Sequence, residues 1–242
     1  ENISLWKAVF NLALVTGNIG QKAGGIFPLP AYANSQGALD MGLSPKYYPG
    51  YVTLSQVDTL KDVYGSSVPK KTGLRLDKIL ENAKKGKIKA LYVFGSPYFT
   101  QTIKELSTAL KKVDFLIVQS PFPTHASKAA SAILPCSALL EENGTITSME
   151  RRLSKLNIAC ASPGKARPDW EIVAEIMAKM GGPKYETLED VQSEISKVVN
   201  FYGSMDPDIL EGKPYWPFSS KDKAGKAYFE LKDFNKPISF LL

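Results

Sequence analysis

Residues 133–170, ILPCSALLEENGTITSMERRLSKLNIACASPGKARPDW, carry the reading that decides the fold. Leu134-Pro135 ends an apolar strand, and Glu141-Glu142-Asn143-Gly144 is a polar turn in which Asn-Gly adopts positive φ at little steric cost. Residues 145–158 then alternate and extend. Pro163-Gly164 interrupts them, and Pro168-Asp169 opens a helix with Asp169 placed as its N-cap. The run is one connected device of strand end, extended excursion and helix start.

Upstream, the periodicity spells out strands separated by helical crossovers. Leu76, Ile79, Leu80 and Ala83 share a helical face that stops at Gly86, and residues 90–94 follow as a short apolar strand ended by Gly95-Ser96-Pro97. The pattern then repeats. Ile103, Leu106 and Leu110 mark a helix, residues 115–118 a buried strand, residues 126–132 a short helix of small side chains, and Ile133-Leu134 a third strand. Strands without alternation, spaced by crossovers, predict a parallel sheet covered by helices on both faces. Two more helices are expected, one through Trp170, Val173, Ile176 and Met177, the other through Leu188, Val191, Ile195 and Val198 with a Thr187/Asp190 capping box. Near the start, Leu5, Val9, Leu12 and Thr16 define a helix stopped by Gly17, and residues 18–51 read as an irregular connection.

The expected fold class is therefore α/β. It is a three-layer αβα domain with a mostly parallel, Rossmann-like sheet, plus an extended segment and a loop-rich C-terminal tail. The expected organisation is a helix and irregular connection over residues 1–50, the αβα unit over 51–200 with an extension at 145–161, and the tail over 201–242.

Composition bounds the chemistry. The chain has 242 residues, is 44% hydrophobic and carries a net charge of +6, enough apolar material for one large core or two small ones. The only dense basic run, Lys84-Lys85-Gly86-Lys87-Ile88-Lys89, has no interleaved aromatics, so it reads as a solvated helix end and no nucleic-acid partner is expected. Cys136 and Cys160 form no CxxC, which signals neither a disulfide framework nor a metal site. No apolar run reaches the length of a membrane span and no secretory segment opens these residues, so a cytoplasmic location and no direct membrane span are expected.

In open parallel sheets ligands sit beyond the carboxyl ends of the strands. That rule selects two loops, Gly95-Ser96-Pro97-Tyr98 and the run Gln119 to Thr124, neither of which is a GxGxxG or a P-loop. His125, the single histidine, lacks a partner for base catalysis and reads as a helix-start residue. Glu141 and Glu142 read as a solvated turn. The Arg151-Arg152 pair reads as a partner in salt bridges to another domain, with a phosphate or carboxylate clamp as the alternative. Met149, Met177 and Met180 read as core filler.

Residues 133–170 resemble the molybdopterin oxidoreductase family, in which an "LP … E … GT … ER" passage precedes "PGEARPDW" and a helix. Residues 11–25, NLALVTGNIGQKAGG, are similar to that family's "NLALLTGNIGKPGGG", and QGALDMGLSPKYYPGY at 36–51 is similar to "VQGACDMGALPNVYPGY" of its formate dehydrogenase branch. Gly225 to Phe229 resembles the "GKARF" entry to its C-terminal barrel. The resemblance implies an internal piece of a formate dehydrogenase-like catalytic subunit. It implies a molybdopterin guanine dinucleotide with Mo or W, its guanosine end held at Gly95, Ser96, Pro97, Gln119, Ser120 and Thr124. It further implies an iron-sulfur cluster in a preceding domain toward which residues 145–161 would extend, and iron-sulfur or flavin electron-transfer subunits as partners beside the remaining domains of the polypeptide. No catalytic residue or metal ligand falls in these residues, so the isolated chain is not expected to turn over.

Three departures bear on that reading. Ser96-Pro97 stands where the family has Glu-Asn or Glu-Asp before proline, and Gln119-Ser120 where it has Gln-Asp, which removes an acidic acceptor from both loops. Pro30 to Ser35 replaces the Arg-Gly-Gln-Asn-Asn of the formate-oxidising branch. Two alternatives stay open: an oxidoreductase with an altered cofactor domain, or a cofactor-free scaffold and electron-transfer subunit resembling the large iron-sulfur subunit of respiratory complex I (NADH dehydrogenase).

Overall fold

In the computed structural model the described residues are 3–30, 32–65, 68–95, 108–203, 205, 207–212, 214–216, 218 and 225. The three apolar runs form one parallel sheet in the order β1 (Ala90–Phe94), β2 (Phe115–Ser120), β3 (Ala132–Pro135). Leu91 pairs with Leu116, Val93 with Val118, and Val118 in turn with Ile133. The face carrying Leu91, Val93, Leu116 and Val118 packs on Leu80 and Ala83 of helix Leu76–Lys84 and on Ala109, Leu110 and Val113. Ile103 and Leu106 of the expected crossover helix lie outside the described residues. Gly86, at φ +67°, ends helix 76–84 in a Schellman arrangement: the Lys87 amide donates to the Asn82 carbonyl at 2.9 Å and the Gly86 amide to Ala83 at 2.9 Å.

Among the described residues, the opposite face is covered near its carboxyl end, where Gln119 meets the start of helix Asp169–Lys179. Tyr92, Phe94 and Phe115, on that same face, remain 37%, 49% and 49% exposed, although Phe115 was read as part of a buried strand.

A second core gathers pieces remote in sequence. Residues 145–161, expected to extend toward another domain, contribute to an antiparallel hairpin in which β4 (Gly144–Thr147) pairs with β5 (Leu153–Leu156). Leu153 is buried together with Leu60, Val199, Tyr202, Leu210 and Phe218. The Leu153 amide donates to the Pro214 carbonyl at 2.8 Å and the Trp216 amide to Arg151 at 2.9 Å, so part of the loop-rich tail lies along the hairpin. Burying Leu153 explains why the hairpin stays with this body: its apolar side chain leaves water here.

Residues 18–51 contain an element that periodicity missed, helix Ser35–Asp40. It is too short to show a repeat, and it sits against β4 through Gly37. A Cβ at Gly37 would meet Asn34 Oδ1 at 2.2 Å, and Asn34 Oδ1 is itself the acceptor for the Thr147 amide at 2.9 Å. Asp40, fully buried, accepts from Tyr202 Oη at 2.7 Å and from Gln36 Nε2 at 2.9 Å. Gln36 Nε2 also reaches Tyr51 Oη at 2.9 Å, and burial with the nearby Asp40 pushes the Tyr51 phenol up to about 12. Helix Ile3–Val15 has no buried residue.

Candidate cofactor edge

The carboxyl ends of β1 and β2 bring Gly95, Gln119, Ser120 and Thr124 to one edge; Ser96 and Pro97 lie outside the described residues. Gly95 has φ +123°, a conformation that favours glycine, and among the described residues no atom beyond its chain neighbours lies within 4 Å of where a Cβ would be. Its amide donates to the Gln119 carbonyl at 3.3 Å, which ties the two loops together.

The side chains of the other three residues are engaged within the chain. Gln119, 1% exposed, donates from Nε2 to Asp169 Oδ1 at 2.5 Å and accepts from the Tyr92 hydroxyl. Ser120 Oγ donates to the Phe122 carbonyl at 2.9 Å, a local turn bond. The Ser127 amide donates to Thr124 Oγ1 at 3.2 Å, while the Thr124 amide donates to Ser127 Oγ at 3.1 Å, so this pair closes the turn into residues 126–129. His125, exposed, precedes that turn and makes no side-chain cap bond, in keeping with a helix-start residue.

Asp169 is the residue that sequence reasoning misplaced. It is not the N-cap; Pro168 occupies that position and Asp169 is the first helical residue. The cap comes from Glu142, whose Oε2 accepts the Asp169 amide at 3.1 Å. Glu142 is thereby no solvated turn residue: it is half-buried, and desolvation raises its carboxyl above the ordinary range. The neighbouring Glu141 points elsewhere and accepts the Ala138 amide at 2.9 Å.

What delivers Asp169 to the edge is backbone pairing after β3. The Ser137 amide donates to the Arg167 carbonyl at 2.9 Å, and Cys136 and Arg167 form a parallel bridge. Burial and the adjacent Asp169 push the Cys136 thiol up, so it stays protonated and inert at neutral pH. The same causes raise the Tyr92 phenol. Carboxylate, amide, phenol and thiol thus converge on one point at the strand ends. The conventional sequence signal for that point was absent, because Asp169 lies 50 residues from Gln119.

Asp169 and Glu142 also line an apolar cleft of about 710 Å³ walled by Phe94, Trp170, Val173 and Ile195. The arginine pair does not reach this region. Arg151 Nη1 donates to the Trp216 carbonyl at 2.6 Å and its guanidinium lies 5.2 Å from the Trp216 ring centroid, while Arg152 lies 5.5 Å from that of Tyr215. Both side chains lie against aromatic residues of the tail. Among the described residues no group of three or more His, Cys, Asp or Glu side chains is arranged for a metal, and no helix is long and apolar enough to cross a membrane.

Comparison with known proteins places this geometry in context. The family model for molybdopterin oxidoreductases matches residues 2–179. The chain belongs to the molybdopterin oxidoreductase family. It is 35% identical over 230 residues to a probable oxidoreductase of Bacillus subtilis, a match covering 92% of this chain and 23% of that protein. It is 35% identical over 226 residues to the F420-dependent formate dehydrogenase subunit alpha of Methanocaldococcus jannaschii, covering 90% of this chain and 33% of that one. The NADPH-Fe(3+) oxidoreductase subunit alpha of Geobacter sulfurreducens is 36% identical over 207 residues, covering 84% and 24%. The chain therefore spans about a quarter to a third of the length of these relatives.

Proposed function

We propose that this chain is the cofactor-cradling α/β part of a molybdopterin-dependent oxidoreductase resembling formate dehydrogenase, and that its sheet edge holds the guanosine end of a molybdopterin guanine dinucleotide. The observation that carries the reading is the Asp169 carboxylate beside Gln119 at the end of β2. A guanine edge presents N1–H and N2–H donors, and a carboxylate accepts both with charge assistance where a serine hydroxyl offers one neutral bond. Asp169 thus offsets the acidic residues missing at Ser96 and Ser120. Among the described residues nothing crowds Gly95, whose missing side chain suits close approach of a ligand.

The bound group would supply a Mo or W centre for two-electron chemistry. The residues here would bind and orient it: Asp169 as acceptor, Gln119, itself held by the Tyr92 hydroxyl, keeping the Asp169 carboxylate in place, Glu142 fixing the first turn of its helix. Iron-sulfur clusters, electron-transfer subunits and the substrate site belong, on this reading, to the remainder of the polypeptide and its partners.

A second reading, the cofactor-free scaffold, draws on the internal engagement of Gln119, Ser120 and Thr124, whose side chains already have partners. One measurement separates the two. Full-length protein purified without oxygen and hydrolysed in acid should release guanosine monophosphate in step with its Mo or W content. Asp169→Asn should weaken retention by about 1–3 kcal/mol, roughly ten- to hundredfold in affinity. Intact iron-sulfur clusters with no nucleotide and no metal would instead establish the scaffold.

A further inference from the structure

The basic run at residues 84–89 read as a solvated helix end, and its lysines are indeed exposed. The fold adds to it. Lys111 and Lys112, exposed at the end of the following crossover, are brought against the run by contacts between the two loops: Lys112 Nζ donates to the Lys84 carbonyl at 3.1 Å, Lys89 pairs with Asp114 at 3.1 Å, and the Phe115 amide donates to the Lys89 carbonyl at 2.9 Å. Lys84, Lys85, Lys87, Lys89, Lys111 and Lys112 thus share the amino end of the sheet, opposite the edge that carries Gly95 and Asp169. Among the described residues two carboxylates stand among them, Glu81 on Lys85 at 2.5 Å and Asp114 on Lys89, and Glu81 also holds Lys78 at 2.7 Å. Setting Lys84 aside, five lysines against these two carboxylates leave a positive field among the described residues.

A second observation adjoins the first. Phe115 begins β2 directly beside Lys89 and is substantially exposed. An exposed aromatic side chain beside a ring of lysines supplies an apolar anchor within a charged rim.

We propose that this surface docks the acidic face of a partner protein. Charge complementarity selects the occupant. The patch contains lysines and no arginine, so it lacks the forked donors suited to phosphates, and the interspersed Glu81 and Asp114 would repel a continuous polyanion while meeting lysines of a mixed but predominantly acidic protein surface. Docking at the amino end leaves the carboxyl edge free.

The test uses the full-length protein purified at low ionic strength and treated with a zero-length carbodiimide, which joins lysine amines to carboxylates in contact. The expected result is an amide link from one or more of the six lysines to Asp or Glu of a second polypeptide. The link should be lost at high salt and in the variant K87E/K111E, with affinity for the isolated partner falling roughly tenfold or more and its salt dependence flattened. The neutral variant K87Q/K111Q should fall between, and both should keep the wild-type unfolding midpoint. Links only to carboxylates of the same polypeptide, or no link, would overturn the proposal. So would a wild-type preference for a 30-base-pair DNA duplex or phosphatidylglycerol vesicles that the charge-reversed variant loses. None of these readouts needs bound cofactor or turnover, so the outcome is independent of the function proposed above.

Discussion

Glu142 shows how one side chain couples the hairpin turn to the cofactor edge. Its carboxylate closes the helix that begins at Asp169, yet burial beside Asp169 favours its protonated form. A carboxyl whose folded-state pKa is raised contributes stability that is full below the ordinary carboxyl range and is lost as pH rises through the folded value. Glu142→Gln, which keeps an oxygen acceptor for the Asp169 amide and removes the charge, should therefore raise the melting temperature at neutral pH, and the gain should shrink toward zero near roughly pH 4. Thermal melts of both proteins across that range check it; a pH-independent difference would mean that the buried charge is not what the substitution relieves. Asp169 and Glu142 both stood in the sequence as turn and cap residues. Their convergence was illegible there because a carboxylate's neighbours across 27 residues are set by the packing of the chain and not by local propensity.

Among elements, the strands and the amphipathic helices were legible from period and composition. The parallel order of β1, β2 and β3 follows from apolar runs without alternation, and helices Leu76–Lys84 and Leu188–Val198 lie where their apolar faces and caps place them. The Thr187/Asp190 capping box forms as read, with the Asp190 amide donating to Thr187 Oγ1 at 3.2 Å. The hairpin was not legible as part of this body. Its alternation marks strands, but alternation does not say which strand lies opposite. Because the Leu153 amide is paired and its side chain buried, it should exchange slowly with solvent in the isolated chain, at a rate comparable to amides of β2. Helix Ile3–Val15, which has no buried residue and whose Leu5, Trp6 and Leu12 are exposed, should exchange faster than β2, since a helix of that length with little burial is marginal in water. Hydrogen exchange read by mass spectrometry distinguishes the two segments. Rapid exchange at Leu153 would show that the hairpin needs a partner outside these residues.

At the scale of the whole molecule, the described residues form two apolar cores, one under the sheet around Leu116 and one around Leu153 and Tyr202, which have no buried residue in common. Leu116→Ala and Leu153→Ala should each cost about 2–5 kcal/mol. Without shared partners their costs should add within about 0.5 kcal/mol in denaturant unfolding. A larger coupling would mean that the two cores act as one across the cleft. The amino-acid sequence by itself determined the local elements, the parallel sheet and the family, because apolar period, turn residues and the motifs at 11–25, 36–51 and 133–170 are properties of neighbouring residues. The tertiary structure alone decided that Asp169 stands against Gln119, that Lys111 and Lys112 join the run at 84–89, and that residues 214–216 lie along the hairpin. Each of these depends on how a crossover closes in space, which chain neighbours cannot specify, and each is stabilised by hydrogen bonds and burial available only once the two cores have formed.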